Sequence, residues 1–149
     1  MRQRINDAVK VAMKSGDKGR LSTLRLITAA IKDRELGVGG AAPTEVGDAE
    51  LTVILQKMVK QRRESIATYE GAGRQDLADK EKAEIAVIEE YLPQQMGEAE
   101  AAAAIQALIV ELGAAGPKDM GRVMGALKAK FAGTMDFGKA SAIVKEKLK

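Results

Sequence analysis

The residues best placed to do chemistry stand in one run, "KDMGRVMGALKAKFAGTMDFGK", Lys118 to Lys139, in which four lysines and one arginine are set among four glycines. Ammonium and guanidinium groups at this density neutralise phosphate oxygens, and glycine lets a sugar–phosphate backbone come close. Glycine inside a helix costs about 1 kcal/mol relative to alanine. The pair Gly121 and Gly125, one turn apart in an otherwise helical pattern, therefore needs a reason. The candidates are a phosphate loop, a membrane dimer face, a close packing seam, or a strip that meets a nucleic-acid backbone. Elsewhere the chemical inventory is thin. The chain has neither histidine nor cysteine, which removes the usual neutral-pH general base, imidazole-activated nucleophiles and the commonest zinc ligands. Carboxylates, lysines and two tyrosines remain, and they suggest no catalytic constellation, no metal site and no cofactor.

Two of the four candidates fail on spacing. A Walker-type loop requires GxxxxGK followed by Ser or Thr after a strand, whereas "GRVMGALK" has the wrong interval and no hydroxyl. A GxxxG membrane seam belongs to an apolar 20-residue helix, and this segment is short, charged and amphipathic. On a helix turning 100° per residue with Lys118 at zero, Met120, Val123, Met124, Leu127 and Phe131 occupy about 140° to 240°, while Gly121, Gly125 and Ala129 lie between about 300° and 20°. Lys118, Arg122 and Lys128 border that second strip. It serves either as a seam for another part of the same protein or as a surface for a phosphate backbone. Further on, Gly133 suits a helix C-terminus and Asp136 an N-cap, which places Lys139 beside amides that either receive an anion or are simply capped.

These residues need helices to position them. With two Phe, two Tyr and no Trp, the core must be built from Leu, Ile, Val, Met and Ala, the palette of helix packing. The apolar periodicity predicts an all-α fold. Ile5, Ala8, Val9, Ala12 and Met13 form one buried face, stopped by Gly16; Leu21, Leu24, Ile27, Thr28 and Ile31 form the next, ending near Gly37. After the loop "GVGGAAP", Gly37 to Pro43, Asp48 is the expected N-cap of a long third helix with Leu51, Ile54, Leu55, Met58, Val59, Ile66 and Tyr69 inside and Lys57, Lys60, Arg62 and Arg63 on its other side. A fourth helix buries Leu77, Ile85, Ile88 and Leu92, with Glu84, Glu89 and Glu90 solvated. Pro93 ends it. The segment Leu92 to Gly97 divides the chain into a helical N-terminal domain of about four helices, residues 1–93, and a small three-helix C-terminal domain, residues 97–149. The second domain's helices span about 98–113, with Ile105, Leu108, Ile109 and Leu112 buried, about 118–131, and about 137–148.

The net charge of +3 conceals a partition. Residues 1–32 hold eight cations against two acids, residues 33–117 eight against sixteen, and residues 118–149 eight against three, giving +6, −8 and +5. Such ends either meet a polyanion or neutralise the middle. No apolar signal region and no run of 18 uncharged apolar residues is present, so the sequence suggests a soluble cytoplasmic protein with no membrane partner.

Four blocks, "LRLITAAIKDRE" (Leu24 to Glu35), "QKMVKQRRESI" (Gln56 to Ile66), "EIAVIEEYLPQQM" (Glu84 to Met96) and "DMGRVMGALKAKFAGTMDFGKASAIVKEKL" (Asp119 to Leu148), together resemble the YqeY-like proteins of the GatB/YqeY family. The resemblance implies an α-helical amino-terminal domain and a carboxy-terminal domain similar to the tail of the B subunit of the tRNA-dependent amidotransferase. In that enzyme the tail helps grip tRNA, while phosphorylation, amide transfer and glutaminase chemistry occur elsewhere. The resemblance thus implies a non-catalytic accessory protein that binds tRNA or other folded RNA, with a protein partner in tRNA charging as an associated expectation. Matched by position, it points to Lys118, Gly121, Arg122, Gly125, Lys128, Lys130 and Lys139 as nucleic-acid-binding, and to Lys60, Arg62 and Arg63 of the basic block on the third helix. The alternatives are a protein-interaction module, binding through the acidic middle or the methionine-rich face, and a non-catalytic subunit associated with glutamine-dependent amide transfer (a carbon–nitrogen ligase label).

Overall fold

A computed structural model describes residues 1–40 and 42–149; Ala41, part of the expected glycine-rich loop, lies outside the described residues. Among the described residues the chain is all-α, with seven α-helices and no strand. They are α1 (Arg2–Ser15), α2 (Lys18–Leu36), α3 (Asp48–Gly71), α4 (Gln75–Glu89), α5 (Glu98–Leu112), α6 (Met120–Phe131) and α7 (Phe137–Lys147), with single 3₁₀ turns at Val38–Gly40 and Pro117–Asp119. The chain divides into two compact units, Met1–Leu92 and Pro93–Lys149.

Local signals set the helix ends. Gly16, Gly37 and Gly113 terminate α1, α2 and α5 with φ of 74°, 72° and 63°, a left-handed conformation that costs glycine nothing and other residues more than 1 kcal/mol. Asp17 caps α2 by accepting from the Arg20 amide at 3.1 Å. Asp48 is not the cap of α3 that its residue type suggested. Gly47 holds that position, and Asp48 is the first helical residue, its carboxylate 3.5 Å from the Met1 ammonium. A first-turn carboxylate still favours the positive end of the helix dipole.

In the first unit, Ile5, Leu24, Ile27, Leu51, Leu55 and Ile88 are fully buried, drawn from all four helices. Three side chains, Met13, Glu84 and Arg62, depart from their sequence assignment. Met13, expected inside with Ala12, is 57% exposed because it stands a full helical step from the Ile5–Ala12 face. Glu84, expected in solvent, is nearly covered at 16% side-chain exposure, since it answers Arg62 across the α3–α4 pair. Arg62 Nε donates to Glu84 Oε2 at 2.9 Å, lies 3.9 Å from Glu81, and its Nη1 donates to the Met58 carbonyl at 3.2 Å.

The second unit packs α5, α6 and α7 against one another around Ile105, Val123, Leu127, Met135 and Val144. Its leading coil segment is tied down by one backbone and one side-chain bond: Met96 N donates to the Thr134 carbonyl at 2.8 Å and the Gln95 side-chain Nε2 to the Gly133 carbonyl at 2.7 Å. No single helix among the described residues is long and apolar enough to cross a membrane.

Candidate nucleic-acid interface

Helix α6 presents the strip, and the reason lies in its register. Val123 and Leu127 are buried, and Met120, Met124 and Phe131 pack partly buried against them. With those five side chains inside, the opposite arc must face outward. Gly121 and Gly125 stand there exposed, and a Cβ built on either meets no atom within 4 Å. Neither glycine is therefore a seam for another part of this chain's described structure. The methionine-rich face, offered as a surface for a protein partner, is instead the inward side of the helix.

The cations around the strip differ in how free they are. Lys118, in the 3₁₀ turn, and Lys128, in the last turn of α6, are exposed and form no ion pair among the described residues. Arg122 Nη2 lies 3.4 Å from Asp119 Oδ1, one turn before it, yet the guanidinium side remains 53% exposed. Asp119 is held by a second bond as well, accepting from the Ala115 amide at 2.9 Å. That amide bond, with the nearby Arg122 and Lys118 charges, keeps the Asp119 carboxyl below the ordinary aspartate range. Lys130 points its ammonium over the Phe131 ring, 5.8 Å from the centroid, a cation–π contact that fixes the charge near the helix end.

Lys139 belongs to a different element, α7. Asp136 caps α7 by accepting from the Gly138 and Lys139 amides at 2.9 and 3.3 Å, so the amides that could have received an anion already hold the chain's own carboxylate. The Lys139 ammonium lies 3.8 Å from Glu98, both well exposed. Gly133, at φ 83°, sits one residue beyond the α6 cap at Ala132 and supplies the left-handed turn toward Asp136.

In the first unit the basic block divides. Lys60 is exposed, with no ion pair among the described residues; Arg63 is exposed and 3.2 Å from Glu89; Arg62 is turned inward to Glu84. Sequence reasoning could not separate them, because neighbouring cations on a helix carry no mark of which one faces the adjacent helix. It also overlooked three cations on α2, Lys18, Arg25 and Lys32, which are exposed and without an ion pair among the described residues. Their seven-residue spacing was a visible signal.

The YqeY-like protein family model matches residues 2–148. Among curated proteins, the chain is similar to proteins named altered inheritance of mitochondria protein 41, mitochondrial. With the one from Pyrenophora tritici-repentis it shares 30% identity over 132 residues, 87% of this chain and 70% of that protein. With the one from Lachancea thermotolerans it shares 32% over 111 residues, 73% of this chain and 58% of that protein. With the one from Vanderwaltozyma polyspora it shares 34% over 84 residues, 56% and 44%. In the last two comparisons the chain spans less than two thirds of its relative. The mitochondrial names of these relatives overturn the cytoplasmic expectation. That expectation rested on the lack of an apolar signal region, a criterion blind to mitochondrial targeting segments, which are amphipathic and basic.

Proposed function

The chain belongs to the YqeY-like protein family, and from that premise we propose that it is a non-catalytic accessory protein that binds tRNA or other folded RNA, with α6 laid against the sugar–phosphate backbone. The observation that carries this reading is the open space over Gly121 and Gly125, flanked by Lys118, Arg122 and Lys128. Two helical glycines that no part of the chain's described structure approaches remain a local cost of about 2 kcal/mol together. Contact with an external backbone gives them a use. Lys130 falls at about 120° from Lys118 around the helix, off the glycine strip and beside the buried face, and adds its charge to the C-terminal end of the helix.

Recognition on this reading is by shape and charge. Two tyrosines and two phenylalanines do not furnish a stacking platform for single-stranded bases, and folded RNA offers a phosphate contour instead. Such binding is salt-dependent, each neutralised phosphate contributing about 0.7–0.9 to the slope of log affinity against log salt. Filter binding of tRNA across rising salt tests it. The double variant Lys118→Glu, Arg122→Glu is expected to weaken binding at least tenfold at low salt. A wild-type protein that leaves tRNA free at low salt, or a double variant that binds like wild type, refutes the proposal.

A further inference from the structure

The outward face of α2 carries a second set of cations. Lys18, Arg25 and Lys32 recur every seven residues, about 10.5 Å apart along the axis and within about 40° of one another around it. All three are exposed and none has an ion pair among the described residues. Lys10, Lys14, Lys57, Lys60 and Lys80 of this unit are likewise exposed and without an ion pair among the described residues; what sets these three apart is their alignment along one face of a single helix. Between the first two cations the surface is hollowed into an open groove of about 380 Å³, lined by Lys18, Leu21, Ser22, Arg25 and Leu26. No acidic residue lines it. Ser22 and Ala29, short and exposed, separate the long cationic side chains.

We propose that this face of α2 is a second contact for the phosphate backbone of a folded RNA, with Lys18 and Arg25 straddling a phosphate seated in the groove and Lys32 reaching one farther along. Charge complementarity selects the occupant: three cations free of ion pairs and a hydroxyl suit a polyanion, although Leu21 and Leu26 line the groove and Leu36 stands exposed farther along the same face. A membrane surface would ask for a broader apolar face beside the cations, and a protein partner for a hydrophobic centre ringed by charge. The proposal rests on the reading of α6 given above, and assigns the amino-terminal unit a share in the same ligand.

The full chain is titrated with tRNA across salt as wild type, as Lys18→Gln, Arg25→Gln, Lys32→Gln, and as Lys118→Gln, Arg122→Gln, with thermal melts to confirm that all three fold. The α2 triple variant should lose roughly ten- to hundredfold in affinity at 0.1 M salt and about 2 in salt slope, for two to three lost phosphate contacts. If wild type binds and the α6 variant weakens while the α2 variant keeps both affinity and slope, the α2 contact is refuted and the α6 reading stands. If wild type does not bind, both fall. Sedimentation with equal-part phosphatidylserine–phosphatidylcholine vesicles supplies the remaining arm: vesicle binding lost in the α2 variant, with its tRNA binding intact, assigns the face to a lipid surface and overturns the proposal.

Discussion

Replacing Gly121 and Gly125 by alanine separates stability from binding at single-residue resolution. Both glycines are helical with φ outside the left-handed region, and an added methyl at either meets nothing. Each substitution should stabilise the protein by about 0.5–1 kcal/mol through helix propensity and reduced unfolded-state entropy. A domain of this size converts that to a rise of several degrees in melting temperature. If the strip meets an RNA backbone, the same double variant should bind tRNA several-fold more weakly despite its greater stability. A more stable variant with unchanged binding would mean that the glycines have no contact role. Asp119 offers a second test. Its bond from the Ala115 amide lowers its folded pKa, so the stabilisation is complete above the unfolded value near 3.9 and disappears as pH falls through the lower folded value. Asp119→Asn should therefore lower the melting temperature at pH 7 and converge with wild type once the pH falls below the lowered folded value. A difference that persists at low pH would place the effect in shape and not in charge.

At the scale of elements, the Arg62–Glu84 pair is the most covered of the ion pairs that join α3 and α4, beside Arg63–Glu89 and Glu70–Lys82, and Arg62 satisfies Met58 O on its own helix besides. Removing one partner leaves the other charge largely desolvated, a cost of about 3–5 kcal/mol for a fully buried pair. For this mostly covered pair Arg62→Ala should cost about 1–3 kcal/mol. Chemical denaturation of Arg62→Ala, Glu84→Ala and the double variant would measure the coupling, and a coupling near zero would show the pair to be ornamental. Lys60→Ala, one exposed step away, should be neutral to stability. This contrast marks what was legible in the sequence. Helix ends were, because Gly16, Gly37 and Asp136 act through local backbone chemistry that a short window contains. The inward register of α6 was, since five apolar side chains at helical spacing leave one solution. The fate of Arg62 was not: whether a cation faces solvent or a neighbouring helix depends on Glu84, twenty-two positions away, and on the packing that brings the two helices together. Met13 failed for a related reason, as an apolar residue at the margin of a stripe is buried only if a neighbour reaches it.

Across the whole molecule the side chains most apt to change charge near neutrality are missing. The chain holds no imidazole and no thiol. The three side chains with displaced pKa values all move further toward their charged forms. Arg20 is raised by its bond to Glu90, and Asp76 is lowered by Arg74, as Asp119 is by the Ala115 amide. Charge is distributed as +6 at the start, −8 in the middle and +5 at the end of the chain. A binding surface made from lysine and arginine on such a background has a recognisable signature. Affinity for tRNA should fall steeply with salt, yet stay within about twofold between pH 6 and pH 8, because the ordinary ranges of lysine, arginine and phosphodiester groups lie far from that window. Fluorescence anisotropy over a grid of salt and pH measures both axes together. A step in affinity within that pH range would require a titrating group that the α2 and α6 cations do not provide, and would move the interface away from both helices.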